Sequence, residues 1–271
     1  MKLSFEFFPP YTQERINDLK EVRKKLKVLN PEYYSVTFGA GGSSKKYTYE
    51  TVLDIQTNDN VIAVPHLTCI AANHKDIDKF IYKYKKIGVN SIIALRGDAP
   101  PGMQNIGDFR FANEIVSYIR EKTGDYFDIK VAAYPEYHPQ AKSCDADINY
   151  FINKVKAGAN SAITQYFYNV DAFFNFKNEV IKKGLDVEIV PGIMPITNPS
   201  LIRFSNLCSA EIPRWILNKI YDYKDDLKSI TKFGEEVVTN LCIKLKQGGV
   251  DNFHFYTMNK AEPTLSIAKN L

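Results

Sequence analysis

Polar side chains stand at or near the ends of most short apolar runs in this 271-residue sequence. Their types suit proton transfer and ligand binding, because carboxyl and imidazole groups act as general acids and bases, while amides, hydroxyls and arginines orient a substrate. One carboxylate in a strand is usually a paired structural group, but polar residues gathered at one edge of a sheet indicate a site. They are Glu6, Thr37, His66, Thr68, Arg96, Asp98, Tyr134, Glu136, His138, Gln165, Tyr256 and Thr257, with Gly97 between Arg96 and Asp98.

Several motifs that would define a particular chemistry are incomplete. The stretch 39–44 (Gly-Ala-Gly-Gly-Ser-Ser) follows a strand and opens a helix, but it lacks the last glycine of a dinucleotide-binding motif. We interpret it as a loop that contacts a phosphate or a ring, or as a plain strand-to-helix turn. Glu136 and His138 lack a third metal ligand at a suitable spacing, and no GxSxG is present. Lys260 is the lysine nearest to a strand end. We therefore predict no metal site and no Schiff-base chemistry.

The elements that must position these residues alternate along the chain. Short runs rich in β-branched and aromatic residues are separated by stretches of helical period, which is typical of βα units around a parallel sheet. Gly88, Gly158, Gly184 and Gly249 each stand between a helical segment and a strand, as helix C′ glycines do. The pattern predicts an α/β fold, a (β/α)8 TIM barrel forming a single domain over 1–271, with an open doubly wound sheet as the alternative. The eight runs are Leu3–Phe8, Tyr34–Phe38, Val61–Leu67, Ser91–Leu95, Ile129–Tyr134, Ser161–Phe167, Val187–Ile193 and Asn252–Thr257.

Composition and charge exclude several classes of protein. With 45% hydrophobic and 24% charged residues, the chain is neither collagen-like, disordered nor a coiled coil. Its 35 Lys and Arg residues are spread along the sequence against 31 Asp and Glu, which is too diffuse for a nucleic-acid footprint. The four scattered cysteines form no CxxC, and no apolar run approaches the roughly 18 residues of a membrane span. We expect a cytoplasmic protein without nucleic-acid or membrane partners.

Seven segments, in order from the first run to the last, resemble one known family. The chain is similar to methylenetetrahydrofolate reductase over nearly its whole length, and its length resembles the catalytic barrel without a regulatory domain. The resemblance implies a flavoprotein that binds FAD at the barrel mouth and reduces methylenetetrahydrofolate to methyltetrahydrofolate with electrons from NADH, NADPH or another donor, in one-carbon metabolism and methionine biosynthesis. The segments are Ser4–Pro10, Val36–Ala40, Pro65–Cys69, Ala94–Asp98, Ala132–Glu136, Ile163–Gln165 and Phe253–Thr257.

The resemblance also implies roles for individual residues. Glu6 would be the general acid that helps to open the folate ring to an iminium, and a carboxyl walled by Phe5, Phe7 and Phe8 would have the raised pKa that this role needs. Asp98 would bind the pterin and place negative charge near the flavin. Gln165, Phe204 and Lys260 would contact the substrate. Positions that would line the FAD are Thr37, Phe38, Ala40, His66, Arg96, Gly97, Asp98, Ala112, Tyr134, His138, Ala141, Asp147 and Lys154, with Arg96 and Lys154 as partners for phosphate.

Some residues depart from the family pattern or allow a plainer explanation. Asn153 and Lys260 stand where the family often has arginine, and Ser200 where it has glutamine. Asp147 would also suit the first turn of a helix, and Lys154 a solvated surface. Two other functions stay open: a flavin-free pterin methyltransferase barrel, and a flavin-holding subunit of a larger redox complex. We expect a homo-oligomer, with a redox partner subunit as a further possibility.

Overall fold

The strands form one parallel sheet in this computed structural model, which describes residues 1–38, 44–98, 102, 106–199, 201, 205, 208 and 210–271. Except for β7 and β8, each strand pairs with the next along the chain, as expected when βα units follow one another. The sheet order is β7-β6-β5-β4-β3-β2-β1-β9-β8. The strands are β1 (Lys2–Phe7), β2 (Tyr33–Val36), β3 (Ile62–Thr68), β4 (Ser91–Leu95), β5 (Asp128–Ala133), β6 (Ser161–Thr164), β7 (Glu188–Val190), β8 (Gly192–Ile193) and β9 (Asn252–Tyr256).

The sheet closes through a strand position that Pro191 divides in two. β7 pairs with β6, and β8 pairs with β9, so the two short strands together occupy the seventh position of an eightfold barrel. Proline has no N–H to give to a ladder, which accounts for the break. The Pro191 carbonyl still accepts a hydrogen bond from the His254 N–H at 3.1 Å, and Thr164 Oγ1 accepts one from the Gly192 N–H at 2.9 Å. The predicted α/β barrel is confirmed, with the predicted seventh run split.

Helices separate the strands and cover the outside of the barrel. The four glycines predicted as C′ residues have positive φ angles of 76°, 115°, 82° and 88°, as this prediction requires. Among the described residues, no helix is both long and apolar enough to span a bilayer. The helices are α1 (Gln13–Leu26), α2 (Ser44–Asn58), α3 (His74–Lys86), α4 (Ala112–Thr123), α5 (Cys144–Lys156), α6 (Val170–Lys182), α7 (Arg214–Tyr223), α8 (Leu227–Gln247) and α9 (Thr264–Lys269), with a 3₁₀ turn at Lys27–Leu29.

The two faces of β1 carry different side chains. Phe5 and Phe7 are fully buried and pack against Tyr34, with ring centroids 6.2 Å and 5.2 Å away. They belong to the large apolar core that also holds buried residues of the surrounding helices. Because successive side chains of a strand point to opposite faces, Ser4 and Glu6 point into the barrel instead. β1 therefore supplies apolar packing on its outer face and polar groups on its inner face.

Candidate active site

A cavity of about 360 Å³ lies at the carboxyl ends of the barrel strands, a volume within the range of small-molecule sites. We call it the mouth cavity. Residues in or directly after the strands at all eight positions meet there, as expected for the catalytic end of such a barrel. Its lining combines a few polar groups with a large apolar surface and consists of Glu6, Phe8, Thr37, His66, Ile93, Leu95, Val131, Ala132, Tyr134, Ile163, Gln165, Tyr166, Met194, Cys208, His254, Tyr256 and Met258.

Glu6 lies at the inner end of this cavity beside two imidazoles. Its Oε2 atom is 3.3 Å from Nε2 of His66 and 3.8 Å from Nε2 of His254. Glu6 is 9% exposed and His254 is fully buried, so water screens these contacts weakly. Ser4 Oγ lies 2.7 Å from Nδ1 of His254, and Thr257 Oγ1 donates a hydrogen bond to the Glu6 carbonyl at 2.6 Å. The carboxyl is thus fixed by β3, β9 and its own strand.

The predicted raised pKa of Glu6 is wrong. Burial raises the pKa of the carboxyl. The polar contacts and charges of His254 and His66 lower the pKa by a larger amount, so that the net value is about 2. The predicted wall is also wrong in part, because Phe5 and Phe7 lie on the outer face of β1 and only Phe8 lines the cavity. Glu6 is consequently a carboxylate at neutral pH. To act as a general acid it must first receive a proton.

Four further predicted residues line the same cavity, namely Thr37, His66, Tyr134 and Gln165. Gln165 follows β6 directly, and its Oε1 accepts a hydrogen bond from the Tyr166 N–H at 3.1 Å. Asp98 is exposed beyond the end of β4. Its charge nevertheless acts on Tyr134, whose pKa rises to about 12 through burial and the negative charges of Asp98 and Asp147. The acid predicted to bind pterin therefore lies near the rim of the mouth.

A second group of predicted residues forms a charged cluster beside the mouth, between β5 and α5. The rings of Tyr134 and His138 meet edge to face at 4.6 Å between centroids. The His138 N–H donates to Oδ2 of Asp147 at 3.2 Å, and Asp147 is buried in the first turn of α5. Burial lowers the pKa of His138, and the charges of Asp147, Arg96 and Lys154 act on it as well. Five predicted positions therefore lie together: Arg96, Tyr134, His138, Asp147 and Lys154.

Lys154 is turned inward rather than solvated. Its ammonium donates a hydrogen bond to the Ala132 carbonyl and lies 5.7 Å and 5.6 Å from the ring centroids of Tyr134 and Phe151. Burial lowers the pKa of Lys154 to about 8, and the charge of Asp147 opposes that shift. The plainer explanation offered by the sequence, a lysine on a solvated face, does not hold.

The remaining predicted positions lie outside the mouth lining. The Phe38 ring packs edge to face on Phe80 at 5.4 Å between centroids, Ala112 begins α4, and Lys260 is exposed. Arg96 Nε donates to the Gly97 carbonyl at 3.1 Å, and Ala141 N–H donates to the His138 carbonyl at 2.9 Å. Ala40, Phe204 and Ser200 fall outside the described residues. No group of three or more metal-ligating side chains was found within the part of the chain that the structure describes.

Sequence comparison places this chain in a family. The sequence profile of methylenetetrahydrofolate reductase matches residues 1–271. The chain is 37% identical over 272 residues to the 5,10-methylenetetrahydrofolate reductase of Escherichia coli strain K12, and the match covers 100% of this chain and 90% of the relative. This chain belongs to the methylenetetrahydrofolate reductase family.

Other members of the reductase family and one solved structure are also similar to this chain. The 5,10-methylenetetrahydrofolate reductase of Buchnera aphidicola subsp. Acyrthosiphon pisum is 38% identical over 98% of this chain and 90% of its own length. Methylenetetrahydrofolate reductase (NADH) 1 of Arabidopsis thaliana is 35% identical over 99% of this chain but only 48% of its own length. An uncharacterized Clostridium thermocellum protein that binds two copies of 5-methyl-5,6,7,8-tetrahydrofolic acid superposes with a TM-score of 0.68 at 14% identity, covering 99% of this chain and 92% of that one. At that identity the likeness shows the fold alone.

His254 is not among the predicted site residues, although it belongs to the segment Phe253–Thr257 that resembles the reductase family. Only Tyr256 and Thr257 of that segment are predicted strand-end residues. The signal was the alternation in β9, where Asn252, His254 and Tyr256 share the inner face while two phenylalanines point outward. In register, His254 stands opposite Ser4 of β1. A histidine on the inner face of a strand beside the first strand is therefore within reach of Glu6.

Proposed function

We propose that this chain reduces 5,10-methylenetetrahydrofolate to 5-methyltetrahydrofolate, with FAD as cofactor and NADH or NADPH as electron donor. Family membership supports the folate reaction. The observation that carries the assignment to this site is the position of Glu6, which is buried against two histidines at the inner end of an apolar cavity that also holds Gln165. Such a cavity accommodates a planar ring system, while its few polar groups fix its orientation.

The chemistry of the residues beside the mouth fits a flavin nucleotide. Lys154 and Arg96 supply positive charge for a pyrophosphate, next to the aromatic and aliphatic surface that a flavin ring would contact. Thr37, Tyr134 and His66 would line the ring end. When bound, FAD would supply hydride transfer between the donor and the folate. The protein would hold the two partners in one water-poor cavity and place charged groups around them.

The folate would be held by an amide and two carboxyl groups. Gln165 lies in the mouth, where its side-chain amide would bind the pterin, and Asp98 at the rim would accept hydrogen bonds from it. The folate ligand of the Clostridium thermocellum protein is consistent with pterin binding in this type of barrel. Glu6 would protonate the folate nitrogen that leaves when the five-membered ring opens. Because Glu6 is a carboxylate at neutral pH, it must take up a proton before it can do so.

The cellular setting completes the proposal. Cys69, Cys144, Cys208 and Cys242 are free thiols, which supports a reducing compartment such as the cytoplasm. We propose a single catalytic domain that works as a homo-oligomer. The name of the Arabidopsis thaliana relative gives NADH as its donor, which supports a nicotinamide donor here.

The purified chain tests the proposal directly. A yellow preparation should release FAD when denatured, and anaerobic NADH should bleach it. Added methylenetetrahydrofolate should then restore the colour and yield methyltetrahydrofolate. A colourless protein that does not take up FAD, yet binds folate, would favour the methyltransferase alternative. A yellow protein that NADH and NADPH cannot reduce would favour the redox-subunit alternative.

A further inference from the structure

A second cavity, of about 290 Å³, lies at the amino ends of the strands, opposite the mouth cavity. We call it the basal cavity. Seven of its lining residues are the first residues of their strands, among them Tyr33 of β2, Glu188 of β7 and Asn252 of β9. Because the active sites of such barrels lie at the carboxyl ends of the strands, the proposed reaction does not account for the basal cavity.

The walls of the basal cavity carry more negative than positive charge. Among the described residues, the carboxylates of Glu32, Asp128 and Glu188 line it against one ammonium, that of Lys130. Lys130 Nζ lies 2.5 Å from Oδ2 of Asp128, so these two charges compensate each other. Glu32 is paired outside the cavity, where its Oε1 lies 3.3 Å from Nζ of Lys2. Neither ion pair includes Glu188, which therefore carries the uncompensated charge of the cavity.

Asn252 places a second acceptor beside Glu188. Its Nδ2 donates a hydrogen bond to Glu188 Oε1 at 2.9 Å, and this bond fixes the orientation of the amide. The Oδ1 atom of Asn252 is buried and has no hydrogen-bond partner among the described residues. Asn252 is only 7% exposed, and a buried carbonyl oxygen without a donor destabilises the fold. The two side chains together therefore offer oxygen acceptors and lack a donor.

Tyr33 supplies a third oxygen to the basal cavity. The residue is 6% exposed, and its hydroxyl forms no hydrogen bond within the part of the chain that the structure describes. Its ring is held by stacking on His254 at 5.8 Å between centroids and 23° between planes. Burial raises the pKa of the phenol, and the negative charges of Asp128, Glu188 and Glu32 raise it further. The negative potential of the cavity therefore acts at the Tyr33 hydroxyl.

An ammonium group matches these three oxygens in charge and in hydrogen bonding. It has three N–H donors and no acceptor, so it can bond to Glu188, Asn252 and Tyr33 at once. A divalent metal ion fits less well, because it needs a set of close oxygen ligands and no group of three or more metal-ligating side chains occurs among the described residues. The aliphatic chain of an amine would contact the apolar part of the lining, which includes Val64 and Val190.

We propose that the basal cavity binds the ammonium group of a small aliphatic amine, with Glu188, Asn252 and Tyr33 as its hydrogen-bond partners. The bound ammonium supplies donors to the Asn252 carbonyl and the Tyr33 hydroxyl and compensates the charge of Glu188. A diamine binds more tightly than a monoamine, because its second ammonium group is attracted by Glu32. The site lies at the opposite end of the strands from the mouth cavity, so binding requires neither FAD nor folate.

Isothermal titration calorimetry on the full chain at pH 7 tests the amine site with four small probes. Butylamine should bind saturably with one molecule per chain, and 1,4-diaminobutane should bind more tightly. The neutral molecule 1-butanol has a similar chain without the charge, and tetramethylammonium has the charge without N–H donors. Each of these two should bind at least about tenfold more weakly than butylamine, since each lacks charge-assisted hydrogen bonds.

Two substitutions locate the bound amine in the basal cavity. Glu188→Gln removes the charge and Tyr33→Phe removes the hydroxyl, and each should weaken butylamine binding by about tenfold or more. Asp251→Asn is the matched control for charge, because Asp251 is exposed at the same end of the barrel but does not line the cavity. Tyr34→Phe is the matched control for the hydroxyl, since the Tyr34 hydroxyl donates to a carbonyl of α1 at 3.0 Å. Both controls should bind butylamine within about twofold of wild type, because solvent and salt screen the distant charge.

Three results would overturn the amine site. The first is the absence of saturable binding of both amines at concentrations up to about 10 mM. The second is equal affinity for butylamine and either 1-butanol or tetramethylammonium, which would mean that the cavity selects only for an apolar chain or only for charge. The third is wild-type affinity in both Glu188→Gln and Tyr33→Phe, which would mean that the amine binds elsewhere on the chain.

Discussion

If Lys154 holds the FAD pyrophosphate as proposed, its partly buried ammonium should make FAD affinity depend on pH. Because its pKa is about 8, roughly nine-tenths of Lys154 is protonated at pH 7 and only about one-tenth at pH 9. Bound pyrophosphate favours the charged form and raises this pKa, so binding takes up a proton above pH 8. FAD affinity should therefore be constant below about pH 7 and fall about tenfold between pH 7 and pH 9, which corresponds to about 1.4 kcal/mol.

Quenching of flavin fluorescence, measured as FAD is titrated into cofactor-free protein at several pH values, gives the dissociation constants. Lys154→Ala should bind FAD more weakly at pH 7 by about 1.5–3 kcal/mol, the contribution of a charge-assisted hydrogen bond, with little pH dependence up to pH 9. Lys154→Arg is the matched control, because arginine keeps its charge throughout this range. Wild-type affinity that does not change between pH 7 and pH 9 would refute the reasoning. So would Lys154→Ala affinity equal to wild type at pH 7.

Three further predictions concern the barrel closure, the carboxyl and the rim. Gly192→Ala should destabilise the fold by about 3 kcal/mol or more, because its Cβ would lie 2.1 Å from the Thr164 carbonyl oxygen. Gly184→Ala should cost only about 1 kcal/mol, since that methyl meets no atom within 4 Å. Urea unfolding compares the two variants, and equal losses of unfolding free energy would contradict the packing argument. Between pH 5 and pH 2, the free energy of unfolding of the wild type should fall by about 3 kcal/mol more than that of Glu6→Gln. The reason is that a carboxyl whose pKa is lowered from 4.5 to about 2 stabilises the folded state above pH 4.5 and loses that contribution on acidification. Parallel profiles of unfolding free energy against pH would contradict this prediction. Asp98→Asn should raise the reduction potential of bound flavin, because a fixed negative charge disfavours the anionic reduced form; redox titration with an unaltered potential would confine Asp98 to pterin binding.

The barrel was predictable because its signals are local. Apolar runs of five to seven residues, most of them preceded by a helical stretch, specify βα units, and the four C′ glycines adopt the expected left-handed backbone. The break at Pro191 was visible as a proline inside a predicted strand. The partners of the two short strands on either side of Pro191 depend on closure of the whole barrel. Local periodicity in the sequence carries no information about that closure.

The site was predictable by residue type but not by electrostatics. Strand-end polarity identified Glu6, His66 and Gln165, which do meet in one cavity. The lowered pKa of Glu6 depends on two histidines that are 60 and 248 residues away in sequence, and both lie on inner strand faces. Neighbours in sequence suggested the opposite shift, because the flanking phenylalanines point away from the carboxyl. The inward position of Lys154 likewise follows from the packing of its helix, α5, on β5, which the sequence of α5 alone does not specify.

The central claim is that Glu6 gives the folate its proton, and Glu6→Gln tests it most directly. This change keeps the size of the side chain and its ability to hydrogen-bond but removes the transferable proton. Stopped-flow absorbance should record the two half-reactions separately, with NADH and oxidised enzyme first, and then with pre-reduced enzyme and methylenetetrahydrofolate. In Glu6→Gln we expect flavin reduction by NADH to survive while folate reduction slows by about 10²–10⁴-fold. Folate reduction near the wild-type rate, with flavin reduction intact, would contradict the account.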